Sequence, residues 1–414
     1  MAKEKTSDKK PNAFLIFLEE IQRSQLTVTI LAILTGIILG GLLAAATSLE
    51  VYDAFSVSFG DGIKTGLNVA WSTYKALFTG SVGDYGKIKA ALDSGDPLTI
   101  RRAFFPFFES LVQATPFIFG GLAVAVGFRV GLFNIGAEGQ IFIGALAGAW
   151  AGYFFKGLPA IIHVPLALIC GALGGAIWGF IPGLLKAKTG AHEVINTIMM
   201  NYISFRFTEF MLRGPMKDPE EYTPKTPVIE ESAKLYQFFE DPIRFHLGFF
   251  IAIAVAFLVY WLLFKTTWGL ELRTVGSNPN AARYAGMNNV AATIIAMSLS
   301  GALAGLAGAN EILGVNYRLV PAFSSGYGFD AIALALLGKN HPFGVVLSGL
   351  LFGFLRSGAR QMQLQAGIPI DIISILQALI LAFIAAPAII RTIYRLKEPE
   401  VKEEGVTLSG WGGK

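Results

Sequence analysis

An all-α, polytopic inner-membrane helical bundle is the fold class this sequence predicts, and three observations predict it. Of 414 residues, 53% are hydrophobic and only 15% are charged, where a soluble domain carries roughly 25% charged residues. Apolar runs close to the roughly 20 residues of a membrane-crossing helix recur along the chain. Glycines repeat at every fourth position inside several of those runs. The same composition excludes other classes. The single cysteine, Cys170, cannot build a disulfide framework or a cysteine-rich metal site. A net charge of +4 scattered over the chain offers no basic face, so no nucleic-acid partner is expected.

Taken in order, residues 1–26 form a basic tail carrying Lys3, Lys5, Lys9, Lys10 and Arg23. The run from Thr27 to Thr47 is the first span. A signal peptide ending near Ala44-Ala45-Ala46 is the competing reading, disfavoured because the run is long and more spans follow. Residues 48–105 hold Asp53, Asp61, Asp84, Asp93 and Asp96 among aromatics and glycines. They read as a large extramembrane loop with a short amphipathic helix near 65–78. Apolar segments follow near 106–128, 138–155, 160–185, 193–212, 247–265, 289–313, 326–338, 342–358 and 370–390, giving about ten spans. The 326–338 segment is too short to cross a bilayer and reads as a half-helix buried in protein.

Lysines and arginines in short loops set orientation. Lys186, Lys188, Lys265, Arg273, Arg283, Lys339, Arg391 and Arg395 fall on the side of both termini, which is therefore taken as cytoplasmic. The membrane domain, 27–396, then presents 48–105 and 213–246 as extracytoplasmic loops and 265–288 as a cytoplasmic loop, with a cytoplasmic tail at 397–414. The four-residue repeats are Gly171, Gly175, Gly179 and Gly183; Gly144, Gly148 and Gly152; Gly301 and Gly305; and Gly349 and Gly353. They put small residues on one helix face, where backbones approach closely.

Catalytic chemistry is hard to find. The nearest string to a phosphate-binding loop, Gly83-Asp84-Tyr85-Gly86-Lys87, has the wrong spacing and ends on Ile88. The four histidines are scattered, so no metal site is expected. The chain reads as a conduit, with no catalytic residues and no cofactor of its own.

The most informative stretch is 265–288. Asn278 is a good N-cap, Pro279 suits the first helical position and Gly286 suits the stop. The two turns between them are too short to be stable alone. Ala281, Ala282 and Ala285 make a small face suited to a partner's groove, with Arg283 placed beside it. A merely structural loop is the alternative.

Three strings carry a family resemblance. Gly131 to Gln140 reads GLFNIGAEGQ, His192 to Tyr202 reads HEVINTIMMNY, and Glu271 to Asn288 reads ELRTVGSNPNAARYAGMN. They resemble the permease subunits of ABC importers, in the branch that takes up simple sugars, branched-chain amino acids and nucleosides. The first two are most similar to nucleoside (guanosine-type) permeases. The resemblance covers about 106–390.

It implies a multi-pass cell-membrane protein that is not itself an enzyme. ATP and Mg would sit on separate ATPase subunits. A second permease, a paralogue, would complete the path, and an extracytoplasmic binding lipoprotein would deliver solute. It also implies that Gly276, Asn278, Pro279, Ala281, Ala282, Arg283 and Gly286 belong to the coupling segment that meets the ATPase.

Polar residues near the bilayer are candidates for the translocation path. They are Asn134, Glu138 and Gln140; Asn196 and Asn201; and Tyr327, Phe329 and Asp330. Glu138 and Asp330 can alternatively cap helix ends, and the two aromatic residues can simply pack. Spans two to five and seven to ten read as faint inverted repeats, with 129–140 and 318–330 at corresponding junctions. A ribose-type sugar or a branched-chain amino acid remains an alternative solute. A gradient-driven secondary transporter, using Glu138 or Asp330, is the alternative from another class.

Overall fold

The computed structural model describes residues 24–369 and 371–397. The basic tail to residue 23 and the C-terminal tail from 398 lie outside the described residues. Among the described residues the chain is mostly helical, and the nearest approach to β-structure there is one isolated antiparallel bridge, Gln237 to His246.

The helices are α1 Gln25–Ala46, α2 Leu49–Val57, α3 Phe59–Val82, α4 Tyr85–Ser94, α5 Pro97–Arg129, α6 Ala137–Phe154, α7 Ala160–Thr189 and α8 Glu193–Arg213. After a long connection come α9 Gly248–Lys265, α10 Thr267–Ser277, α11 Pro279–Tyr284 and α12 Asn289–Glu311, which runs into a π-helical turn at Ile312–Asn316. The chain then forms α13 Tyr327–Leu337, α14 Pro342–Ala366, α15 Asp371–Ala385 and α16 Pro387–Ile393.

Six of these are long and apolar enough to cross a membrane, and a seventh span results if the bent pair α15–α16 counts as one. The apolar segments expected from the sequence are all helical, yet fewer than ten qualify by length and composition. α6 falls short because it is built from alanine and glycine and starts with Glu138 and Gln140. It can be so because nearly every residue from Ala137 to Gly152 is buried in protein instead of facing lipid. α13 is an 11-residue helix, as a half-helix requires.

Residues 48–105, expected as an extramembrane loop with one short helix, are largely helical. They form α2, α3, α4 and the start of α5, and the short helix expected at 65–78 is the middle of the 24-residue α3. Side-chain caps divide them. Ser58 accepts from the Asp61 N–H, Asp84 from Lys87 and Asp96 from Thr99. Of the aspartates that suggested a loop, Asp84 and Asp96 are N-caps, and Asp53, Asp61 and Asp93 lie within helices.

α5 is the axis of the body. Its stretch from Phe117 to Val126 is fully buried among α9, α12, α13 and α14. A second layer joins α6, α7 and α12 along the glycine stripes. A Cβ on Gly175 would lie 2.2 Å from the Gly301 carbonyl oxygen, and one on Gly144 would lie 2.2 Å from the Gly305 Cα. These backbones therefore touch directly.

The 214–247 connection is pinned by its backbone. The N–H groups of Thr226, Ile229, Glu230 and Leu235 donate to the carbonyls of Leu319, Tyr317, Gly152 and Leu313.

Candidate functional site

The candidate residues fall in three places along α5. At its C-terminal end the 265–288 segment packs onto the body. The Asn278 side chain accepts from the N–H groups of Asn280 (3.1 Å) and Ala281 (3.0 Å), and Pro279 opens α11. Gly286 adopts φ +79°, the left-handed conformation that stops a helix cheaply only with glycine. Gly276 and Gly131 let two backbones meet. A Cβ on Gly276 would lie 2.4 Å from the Arg129 carbonyl oxygen, and Gly131, at φ +71°, faces the Gly276 carbonyl. Arg129 and Arg273 both lie over the Phe264 ring, 5.4 and 5.1 Å from its centre.

One residue is not where the sequence suggested. Ala282 is fully buried in this chain's own core, among Val130, Leu132, Leu272 and Val275. It anchors α11 and is unavailable to a partner's groove. The face that projects carries Asn280, Ala281, Arg283, Tyr284 and Ala285, with Tyr284 95% exposed. A six-residue helix has room for only one buried side, and the wide hydrophobic cluster beneath it takes Ala282.

In the C-terminal half of α5, several polar residues of the bilayer zone come together. Asn134 is buried and donates to Gln140 (2.9 Å) and Ser300 (2.8 Å), while its own oxygen accepts from the Gly136 N–H. Ser300 in turn donates to the Ala123 carbonyl of α5. Asn201 of α8 accepts from the Gly139 N–H and donates to the Ile135 carbonyl, fastening the start of α6. The hydrogen-bonding groups of Asn134, Gln140 and Asn201 are thus committed to the turn before α6, to its first residues and to Ser300 of α12.

Glu138 caps the half-helix. Its two oxygens accept from the Ser324 hydroxyl (2.6 Å) and the Gly328 N–H (2.5 Å) at the start of α13. An anion at a helix N-terminus is favoured by its free N–H groups. The two junctions read as corresponding parts of a repeat therefore touch each other. Asp330, one turn into α13, pairs with Arg356 of α14 at 3.4 Å. Tyr327 is buried edge-on against Phe117, their ring centres 5.2 Å apart. Phe329 is exposed on the outside of the body, and Asn196 stands half-buried on α8 apart from this group.

Between Tyr327 and the N-terminal part of α5 lies a cavity of about 450 Å³. The sequence reading missed its key groups. Glu109 of α5 is buried and accepts from Arg244 of the 214–247 connection and from Gln113 at 3.3 Å. Arg356 reaches the Ser325 hydroxyl and lies 5.1 Å from the Tyr327 ring centre. A signal for both was present. Each is a charged residue inside an apolar run, costly unless used.

The family described as "Branched-chain amino acid transport system / permease component" matches residues 107–385. The guanosine ABC transporter permease protein NupP of Bacillus subtilis is 46% identical over 290 residues, covering 69% of this chain and 82% of the relative. The glucose ABC transporter permease protein TsgB13 of Haloferax volcanii is 37% identical over 292 residues, covering 68% and 76%. A second B. subtilis protein, the guanosine ABC transporter permease protein NupQ, is 30% identical over 255 residues, covering 60% and 79%. No solved structure matches. With two-thirds of its length matched to the family and the three sequence strings folded into one body around α5, this chain belongs to the branched-chain amino acid transport system permease family.

Proposed function

We propose that this chain is a membrane-spanning permease subunit of an ATP-driven ABC importer, and that its solute is a nucleoside. The observation that carries the solute is the 46% identity to a guanosine permease across four-fifths of that relative. A sugar is second, on the 37% identity to a glucose permease. B. subtilis has two guanosine permeases similar to this chain, which supports a second permease, a paralogue, beside it. Separate ATPase subunits would bind ATP and Mg, and a binding lipoprotein would deliver solute from outside. Both termini lie in the cytoplasm in this reading, with the ten apolar segments crossing or entering the bilayer.

The coupling contact falls to α11. Ala282 holds it to the body, so Arg283 and Tyr284 meet the ATPase, while Gly276 transmits the push to the end of α5. Asn134, Gln140 and Asn201 shape the turn at the inner end of the path, and Glu138 keeps the half-helix in place. Phe329, facing outward, takes no part in this reading, and Asn196 stays a path candidate.

Tyr284→Asp tests the coupling. Tyr284 touches little in its own chain, so the permease is expected to fold normally. Nucleoside uptake by the assembled importer should fall at least tenfold, with the ATPase no longer co-purifying. Unchanged uptake would remove α11 from the coupling.

A further inference from the structure

Three of the long apolar helices end at one place. α5 ends on Arg129, α9 ends on Lys265 and α14 opens at Pro342, and each is long and apolar enough to cross a membrane. Contacts tie the three ends together. The Arg129 Nε donates to the Asn340 carbonyl (2.9 Å) just before α14, and its guanidinium lies over Phe264 of α9. Span ends that meet in this way mark the level at which the helices leave the hydrocarbon. Aromatic side chains gather at the same level. Tyr260 packs with Phe264, 5.3 Å between ring centres, and with Phe343, 4.9 Å. Trp261 and Trp268 are exposed beside them. Such a belt is characteristic of headgroup depth.

Cations collect here without a counter-charge. Arg273 of α10 shares the Phe264 ring with Arg129, so two like charges are held against one ring. Among the described residues no carboxylate pairs with Arg129, with Arg273 or with the exposed Lys265. Arg129 donates only to the Asn340 and Lys339 carbonyls, which fix its plane and leave its charge in place. The two terminal nitrogens of Arg273 carry no hydrogen bond and, unlike its buried Nε, are open to the surroundings. Like charges at close quarters repel, and an anion beside both removes the repulsion. Guanidinium groups bind phosphate through paired N–H bonds, and basic pockets between helix ends at the membrane surface take lipid headgroups.

We propose that Arg273 and Arg129, with Lys265 at the rim, hold the phosphate of an anionic phospholipid in the leaflet on the α11 side. The aromatic belt favours a lipid over a free phosphate, because it gives the acyl chains a surface for which a free ion has no use. Arg273 is on α10, which leads directly into α11, so the lipid fastens the coupling segment to the ends of α5 and α14. Only that last consequence rests on the importer reading above; the binding stands apart from it.

The full chain, purified alone in a neutral detergent, tests the site by thermal unfolding and native mass spectrometry. Dioleoyl phosphatidylglycerol is expected to raise the unfolding temperature and to stay bound. Dioleoyl phosphatidylcholine and inorganic phosphate at the same concentration are expected to do neither. Arg273→Gln should keep the parent's helix content and weaken retention of phosphatidylglycerol about fivefold, the effect of one cation near an anionic leaflet. Lys265→Gln, at an exposed chain position, carries the same expectation if Arg273→Gln misfolds.

Equal binding of the two lipids, or undiminished retention of phosphatidylglycerol by both variants, would overturn the proposal. An equal shift with inorganic phosphate would replace the lipid by a free anion. Loss of the ATPase from an Arg273→Gln importer whose lipid binding is intact would give the cluster to the protein interface and equally overturn it. Failure of the ATP-coupled reading is a separate result, because it appears as unchanged uptake in Tyr284→Asp and leaves lipid binding untouched.

Discussion

At the scale of single residues, burial decides which polar groups hold the fold and which remain available. Both Glu138 oxygens accept hydrogen bonds at the start of α13, one from Gly328 and one from Ser324 just before it. A hydrogen bond to a charged group contributes about 1.5–3 kcal/mol, and a donor left buried and unmet costs on the order of 1–3 kcal/mol. Glu138→Ala should therefore destabilise the solubilised protein by about 3 kcal/mol, and Glu138→Gln by less, since an amide oxygen still accepts. Thermal unfolding of the two variants against the parent measures the order. Ala282 and Tyr284 give a matched pair two residues apart. Ala282→Glu would bury an unpaired carboxylate in the α10–α12 core, a change that costs several kcal/mol, on the order of 3–5. It should lower the unfolding temperature of the isolated chain. Tyr284→Ala, at an exposed position, should stay within about 0.5 kcal/mol and show its effect only when the ATPase is present. Equal destabilisation by the two would contradict the burial seen here.

At the scale of elements, the glycine stripes act as contact lines. Gly175→Leu would force a branched side chain where even a Cβ has no room against the Gly301 carbonyl. Overpacking costs typically 1–3 kcal/mol, and here it falls on two backbones, so expression of folded protein should drop. Gly60→Ala is the control, since the nearest atom to a Cβ there lies 3.9 Å away. Normal monodispersity and uptake in Gly175→Leu would contradict the packing.

The 214–247 connection is held differently, with exposed ion pairs reinforcing its backbone bonds. A hydrogen bond from Lys225, with another from Arg318, holds the Glu221 carboxyl below its ordinary range, and Arg101 does the same for Glu240. A carboxyl whose pKa is lower when folded stabilises the fold above its unfolded value, about 4.3, and that contribution disappears as pH falls through the folded value. Protease protection of 214–247 should therefore be level from about pH 8 to pH 5 and decline below about pH 4. Steady protection down to about pH 2.5 would show that the backbone bonds alone suffice.

At the scale of the whole molecule, the body is a lever with α5 as its axis, a polar cavity near one end and α11 at the other. The chain has no G-x-x-x-x-G-K-[ST] phosphate loop. Purified free of other subunits, it should hydrolyse no ATP above buffer. Hydrolysis that follows the chain through every purification step, and disappears in no ATPase-depleted preparation, would contradict the division of labour proposed here.

The sequence by itself determined the membrane class, the half-helix at 326–338 and the punctuation of α11. Each depends on local information, namely run length, a capping side chain, a proline and a glycine. It also marked Asn134, Glu138, Gln140 and Asn201 as polar groups in an apolar setting. Only the tertiary structure decided what they touch. Glu138 meets Gly328, 190 residues away, and Glu109 meets Arg244, 135 residues away. No periodicity in one segment records its partner in another. Asp84 and Asp96 became helix caps for the same reason. A capping aspartate and a loop aspartate are the same residue type, and only the N–H groups that follow distinguish them. Ala282 faced inward because the core beneath α11 is assembled from α5, α10 and α12, a surface that exists only once the chain has folded.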